Sequence, residues 1–148
     1  MNGNINDVAL KMKEHLGADP ERVQHFVRVY TLARTIGELE RLPEVEQRTL
    51  ELSAIVRTVS GDDRIAVVKE MLLSSGYSDD TAMRVCHIVE HHDDYDHISG
   101  LDHQILVEAE YIVLFKERST PESEILRIAE QRFFTNYGRA FLKKAFGI

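Results

Sequence analysis

Cysteine is almost absent from this sequence, and its scarcity excludes two kinds of stabilising site. Cys86 is the only cysteine, so no disulfide can form within the chain. A zinc site of the zinc-finger type is excluded as well, because such sites need at least two thiolate ligands. The stability of the fold must therefore come from packing and from noncovalent polar contacts.

Long apolar runs are also missing. The N-terminal stretch MNGNINDVALKMKEH contains no apolar segment long enough for a signal peptide or a membrane span. No targeting motif is found at the C-terminus. We therefore expect a soluble, cytoplasmic protein without a membrane partner.

An excess of basic residues is lacking too. Eighteen Lys and Arg residues stand against twenty-five Asp and Glu residues, which gives a net charge of −7. Nonspecific binding to nucleic acid or to anionic lipid needs clustered Lys and Arg, so we expect neither partner. The length of 148 residues fits one domain with a real hydrophobic core.

Proline is scarce, and no strand pattern competes with the helical signals. Pro20, Pro43 and Pro121 each precede apolar residues at helical spacing, and proline suits the first turn of a helix. We expect Asp62 or Asp63 to cap one helix and Asp102 to cap another. The pattern predicts helices over 19–42, 43–59, 63–76, 78–92, from 102 onward, and twice after 121. The segment 93–100 is acidic, ends in glycine and is predicted to be a loop.

These elements predict a single compact all-α domain. Residues 1–18 form an N-terminal helix and lead-in, and residues 19–148 form the core of a bundle with about six to eight helices. The sequence contains no internal repeat and no low-complexity linker.

Histidine is the residue type that is plentiful, with seven in the chain. His87 and His91 are four residues apart on one predicted helix, which places both imidazoles on the same face, and His92 follows. The run continues as HHDDYDH, which supplies oxygen ligands. This pattern is compatible with a metal or phosphate site, and equally with a solvated polar helix end.

Four further positions interrupt apolar helix faces. His25 lies inside the apolar arc of the long helix, and Arg57 with Thr58 continues the stripe of Leu50. Glu110 lies within the apolar stretch ILVEAEYIVLF. A charged group on a core-facing position needs a partner or a route to solvent.

These positions lie in segments that resemble the HD-domain superfamily of metal-dependent phosphohydrolases. HFVRVYTLARTIGELE is similar to the first motif helix of that family and carries His25. ELSAIVRTVSG resembles the segment that normally ends in His-Asp. RVCHIVEHHDDYDHISGLDHQILVEAEYIVLF resembles the stretch with the accessory histidines and the distal carboxylate. The ending, RFFTNYGRAFLKKAFGI, resembles the tail of small bacterial members.

The resemblance implies an HD-like helical bundle with a degenerate metal site. Arg57-Thr58 stands where the family has His-Asp, and Glu110 stands where it has an Asp. An arginine cannot ligate a metal and repels the cation. The resemblance assigns His25, Arg57, Thr58, His91, His92 and Glu110 to the lining of the ancestral site. It leaves the catalytic residues unknown.

The leading hypothesis is a pseudoenzyme that hydrolyses no phosphate ester by the family mechanism and needs no cofactor. As a corollary, Arg57 replaces the metal as the positive centre and pairs with Glu110. The same pocket, with Arg57, His91 and His92, is expected to suit a phosphate or nucleotide, because a guanidinium matches phosphate geometry.

Two other interpretations stay open. The first is an active phosphohydrolase that acts on a nucleotide or phosphate ester with Mn, Fe, Ni or Zn in a rearranged site. Its metal ligands would come from His25, His91, His92 and Glu110, with His87, Asp62, Asp63, Asp93 and Asp94 as further donors. The second is a protein that uses the helical scaffold for self-association into a homo-oligomer.

Overall fold

The protein folds as a bundle of α-helices in a computed structural model that describes residues 3–17 and 19–148. Within these residues there are eight α-helices and one short 3₁₀ helix, with no strand. The α-helices are α1 Ile5–Leu16, α2 Pro20–Leu39, α3 Glu44–Val56, α4 Arg64–Ser74, α5 Asp79–Glu90, α6 Gly100–Glu117, α7 Glu122–Arg132 and α8 Asn136–Phe146. The 3₁₀ helix, Tyr95–His97, lies between α5 and α6. The all-α prediction, with six to eight helices, is confirmed.

Several helices begin at the residues that local signals indicate. The side chain of Asp19 accepts a hydrogen bond from the backbone N–H of Arg22, and Pro20 is the first residue of α2. The side chain of Ser78 accepts one from Thr81 at the start of α5. These bonds satisfy backbone donors that the first turn of a helix leaves free.

Two predicted caps are wrong. Asp63 occupies the N-cap position of α4, but its side chain makes no capping hydrogen bond. Helix α6 begins at Gly100, so Asp102 lies inside the first turn instead of ahead of it. The carboxylate of Asp102 accepts hydrogen bonds from Arg84 and from the hydroxyl of Thr49. These tertiary donors hold the carboxylate in a buried position, which local sequence could not reveal.

Helix ends also differ from the predicted ranges. Helix α2 ends at Leu39 instead of Leu42, and Arg41 just beyond it has a φ of 59°. Helix α3 ends at Val56, three residues before the predicted end. Arg57 and Thr58 therefore belong to the turn that follows α3, where both residues are half-buried.

Buried side chains form three hydrophobic clusters that place α2, α3 and α6 at the centre. The first cluster joins the five helices α1 to α5, the second joins α2, α3, α5 and α6, and the third lies between α6, α7 and α8. Helix α6 contributes to two of the clusters and packs against α2 and α3. This position brings polar residues of α6 beside the N-terminal half of α2 and the end of α3.

Within the described residues, no helix combines the length and the apolar character that crossing a membrane requires.

Candidate functional site

A buried carboxylate, Glu110 on α6, forms the centre of the candidate site. Glu110 is 7% exposed, and its two oxygens accept from different side chains. Oε2 accepts a short hydrogen bond from Arg57, and Oε1 lies 3.1 Å from Nε2 of His25. The predicted ion pair between Arg57 and Glu110 is therefore present, and His25 joins it.

The position of Arg57 follows from how α3 ends. The last two turns of α3, from Thr49 to Val56, are almost entirely buried, and Arg57 is the first residue after the helix. Its side chain is 12% exposed, so the guanidinium lies largely out of solvent against Glu110. A buried charge of this kind is tolerated because its partner carries the opposite charge and accepts a hydrogen bond.

His25 bridges two carboxylates. Its Nε2 lies 3.1 Å from Glu110, and its Nδ1 lies 2.8 Å from Oε1 of Glu117 on the last turn of α6. Carboxylates only accept hydrogen bonds, so both ring nitrogens must carry a proton for both bonds to form. The hydrogen bond that His25 donates to Glu110 raises the pKa of His25 above its ordinary value, against the opposing effect of burial. The geometry therefore favours the imidazolium form.

The same contacts keep Glu110 ionised. Burial alone would raise its pKa, but the hydrogen bond from His25 and the charge of Arg57 outweigh burial. The net result is a pKa for Glu110 below its ordinary value. Glu110 thus faces two cations, Arg57 and His25, and Glu117 supplies a second carboxylate to His25, with Arg28 attached at one side.

A cleft of about 680 Å³ opens in front of this centre. It lies between the first turns of α2, the turn after α3 and the C-terminal end of α6. Its lining includes four arginines, two acidic residues of the α2 start, Glu117, and the predicted residues His25 and Thr58. The arginines are Arg22, Arg28, Arg57 and Arg118.

Two of these arginines are already engaged. Arg22 donates a hydrogen bond of 2.5 Å to the carbonyl oxygen of Thr58. Arg28 donates one of 3.0 Å to Oε2 of Glu117. These contacts hold the turn after α3 and the end of α6 against α2, so they shape the walls of the cleft.

Other donors at the cleft have no protein acceptor among the described residues. Arg57 makes one side-chain hydrogen bond, to Glu110, although a guanidinium carries five N–H donors. The exposed Arg118 makes no side-chain hydrogen bond or ion pair within the same residues. The hydroxyl of Thr58 is buried and has no hydrogen-bond partner. Three residues that line the cleft, Arg57, Thr58 and Arg118, thus carry donors without a protein acceptor among the described residues.

His91 and His92 do not line this cleft. The ring of His91 packs against that of His87, with ring centroids 4.6 Å apart, and Nδ1 of His92 lies 2.8 Å from the carbonyl oxygen of Val89. Over residues 3–17 and 19–148, no hydrogen bond or ion pair joins either histidine to His25, Arg57 or Glu110. The phosphate site predicted from the sequence included His91 and His92, whereas the cleft contains Arg57 without them.

The donor set at the centre does not fit a divalent metal. One oxygen of Glu110 accepts from Arg57, and both nitrogens of His25 face carboxylate oxygens. Ligation would require His25 to lose a proton and Arg57 to leave, because a metal ligand needs a free lone pair. Nowhere in the described residues do three His, Cys, Asp or Glu side chains come together as a metal-binding group.

The distant acidic candidates also lie apart from the centre. Asp94 lies 2.9 Å from Nδ1 of His97, which is well exposed. Asp62 and Asp63 precede α4, and Asp93 follows α5. None of the four lines the cleft.

Sequence reasoning missed several residues of the site. Arg22, Arg28, Glu117 and Arg118 lie on exposed helix positions whose spacing resembles any solvated face. Tyr95 was missed as well, although the charges of Arg57 and Glu110 both influence the pKa of its phenol. Burial raises the pKa of Tyr95 to about 12, so its phenol stays protonated.

Comparison with known proteins gave no match: no family model, no curated protein and no solved structure is significantly similar to this chain.

Proposed function

We propose that this protein is a degenerate HD-like domain that binds a phosphate-containing small molecule in the Arg57 cleft without a catalytic metal. The resemblance of four sequence segments to that superfamily supports the fold assignment, together with the all-helical architecture. The arrangement around Glu110 supports the loss of the metal, because a guanidinium and an imidazolium take up its carboxylate.

One observation carries the binding proposal: Thr58, whose buried hydroxyl has no hydrogen-bond partner, lines the same cleft as Arg57, whose guanidinium uses one donor on Glu110. A buried donor without an acceptor costs free energy, and an anion in the cleft would relieve that cost. Phosphate oxygens are strong acceptors, and the planar fork of an arginine suits them. Arg118, at the mouth of the cleft, adds a second cation.

The ligand must be recognised by local geometry and not by a strong positive field. The cleft arginines are accompanied by Asp19, Glu21 and Glu117, and the whole chain carries a charge of −7. The proposal therefore concerns a small anion that reaches Arg57 and Thr58, and it excludes an extended polyanion.

The test is the change in thermal stability on adding inorganic phosphate, at ionic strength matched with chloride. A ligand of the folded state at ten times its Kd raises the free energy of unfolding by about 1.4 kcal/mol. We expect this gain for the wild type and for Arg127→Ala, which alters an exposed arginine of α7 outside the cleft. We expect Arg118→Ala to weaken phosphate binding.

Thr58→Val is the sharper variant. It keeps the shape of the side chain and removes a buried hydroxyl that makes no hydrogen bond in the free protein, so stability without phosphate should not fall. Phosphate affinity should drop severalfold, whereas Thr31→Val, at an exposed position of α2, should leave it unchanged. If wild type and Thr58→Val respond equally to phosphate, the proposed site is wrong.

Elemental analysis separates this proposal from the alternative of an active phosphohydrolase. After incubation with Mn²⁺, Fe²⁺, Ni²⁺ or Zn²⁺, the proposal predicts no stoichiometric metal on the purified protein. Metal that is retained by the wild type and lost in His25→Ala or Glu110→Ala would support the enzyme instead.

A further inference from the structure

A second concavity, which is apolar, lies beside the Arg57 cleft. It has a volume of about 550 Å³ and is formed by α6 and the end of α8. Its apolar lining consists of Ile112, Val113, Ala145 and Phe146, with Lys116 at the margin. We refer to it as the α6–α8 groove. Ala145 is exposed, so the groove is open to solvent along one side.

The groove and the Arg57 cleft are contiguous. Arg28 and Glu117 line both of them, and the ion pair between these two residues, at 3.0 Å, is the partition. The side chain of Arg28 is 55% exposed, so this ion pair lies at the protein surface between the two concavities. Val113, in the groove, is one helical turn from Glu117, a rise of about 6 Å along α6. A ligand anchored in the cleft can therefore extend into the groove.

The chemistry of the groove favours an aliphatic group over a nucleobase. Its polar groups are the Arg28–Glu117 pair and Lys116. The backbone N–H groups of the groove residues are bonded within their helices, and only C=O groups at the C-terminal ends of these helices are left without a partner in the helix. The ring nitrogens and exocyclic groups of a base would find few partners and would lose their hydration, whereas methylene groups gain from leaving water.

We propose that the natural ligand is a phosphate monoester of an aliphatic chain, with its phosphate at Arg57, Thr58 and Arg118 and its chain along the α6–α8 groove. This inference rests on the proposed function, because it needs an anion in the cleft. Charge complementarity selects the head group, and the contiguous apolar groove selects the tail.

Isothermal titration of the full chain with a series of probes tests the inference. The probes are inorganic phosphate, ethyl phosphate, octyl phosphate, octanol and adenosine monophosphate. Each fully buried methylene is worth a factor of about four in affinity, and an open groove buries only part of each. We expect octyl phosphate to bind at least about tenfold more tightly than ethyl phosphate. Octanol should bind more weakly than octyl phosphate, and adenosine monophosphate should not show a tenfold gain in affinity over ethyl phosphate.

Two matched variants locate the tail. Ala145→Gln places a longer polar side chain in the groove, and Ala140→Gln makes the same change at an exposed position of α8 outside it. Ala145→Gln should remove the advantage of octyl phosphate and leave affinity for inorganic phosphate unchanged. Ala140→Gln should bind both probes as the wild type does.

The outcomes distinguish this inference from the proposed function. Equal affinity for octyl and ethyl phosphate, or tighter binding of adenosine monophosphate than of octyl phosphate, overturns the aliphatic tail and leaves phosphate binding intact. An advantage of octyl phosphate that survives in Ala145→Gln also overturns it. Absence of phosphate binding, with octyl phosphate bound equally by Arg118→Ala, overturns both.

Discussion

At the scale of single residues, the molecule shows how a helical core accommodates charges on apolar faces. Arg57, His25 and Glu110 would each be costly to bury alone, because desolvation of an unpaired charge is expensive. Together they satisfy one another, and Glu117 extends the network to Arg28 at the surface. Their value to the protein lies in positioning Arg57 at the cleft, since a buried ion pair is weak evidence of stability by itself.

The bridging position of His25 makes its contribution to stability depend on pH. Its pKa is raised in the folded state above the ordinary value of 6.5. The contribution is therefore complete below about pH 6.5 and is lost as the pH rises through the folded-state pKa. The opposite holds for Glu110, whose pKa is lowered, so that its contribution disappears as the pH falls through its folded-state pKa.

We predict that the stability difference between wild type and His25→Gln is greatest near pH 6 and shrinks toward pH 9. Urea unfolding at several pH values measures this difference. His15→Gln alters an exposed histidine on α1, away from this network, and should give a smaller difference than His25→Gln near pH 6. A His25→Gln difference that grows with pH would contradict the bridging geometry.

At the scale of helices, α6 organises the polar interior. Its residue Glu108 is fully buried and accepts hydrogen bonds from Gln104, from the hydroxyl of Thr135 and from the backbone N–H groups of Phe134 and Thr135. A carboxylate in this position joins α6 to the turn that starts α8. Because α8 supplies one wall of the α6–α8 groove, this contact also fixes the shape of that groove.

Gly138 is required by the same contact. A Cβ at this position would overlap Oε1 of Glu108 and would lie 2.6 Å from Oγ1 of Thr135. Alanine is favoured over glycine within a helix by about 1 kcal/mol, but the buried network cannot move aside without losing hydrogen bonds. We predict that Gly138→Ala lowers the free energy of unfolding by about 2 kcal/mol.

The control is Gly147→Ala, at the end of α8. Gly147 has a φ of 66° and no atom within 4 Å of an added Cβ, so the cost is backbone strain alone, about 1 kcal/mol. Chemical denaturation measures the free energy of unfolding of both variants and of the wild type. A Gly138→Ala variant as stable as the wild type would mean that Glu108 does not hold this turn.

At the scale of the whole molecule, α1 belongs to the packed structure. Val8 and Met12 are fully buried in the first hydrophobic cluster, with side chains of α3, α4 and α5. The side chain of Lys11 donates to the hydroxyls of Ser74 and Ser75, at the end of α4. The N-terminal helix predicted from the sequence is thus present, and it packs against α2, α3 and α4.

We predict that Met12→Ala lowers the free energy of unfolding by about 3 kcal/mol, because it leaves a cavity in this cluster. Leu10→Ala, at a position that is 60% exposed on the same helix, should change it by less than about 0.5 kcal/mol. Thermal unfolding followed by circular dichroism measures both. Equal melting temperatures for the two variants would show that α1 is not docked.

The sequence by itself determined the helical class, several helix starts and the central ion pair. Caps such as Asp19 and Ser78 act within one helical turn, so the sequence around each helix start is enough to predict them. The pairing of Arg57 with Glu110 was predicted because each charge interrupts an apolar face and needs a partner, and because the family resemblance assigns both residues to one site. Helix class and caps are set by a few neighbouring residues, whatever the tertiary structure.

Only the tertiary structure decided what surrounds that pair. His25 and Glu117 are ninety-two residues apart in sequence, and their contact depends on how α2 packs against the end of α6. The free donors of Arg57 and Thr58, the Arg118 beside them and the apolar groove beyond Arg28 depend on the same packing. A cleft is formed by the relative placement of helices, and helical periodicity specifies each helix without specifying its neighbours.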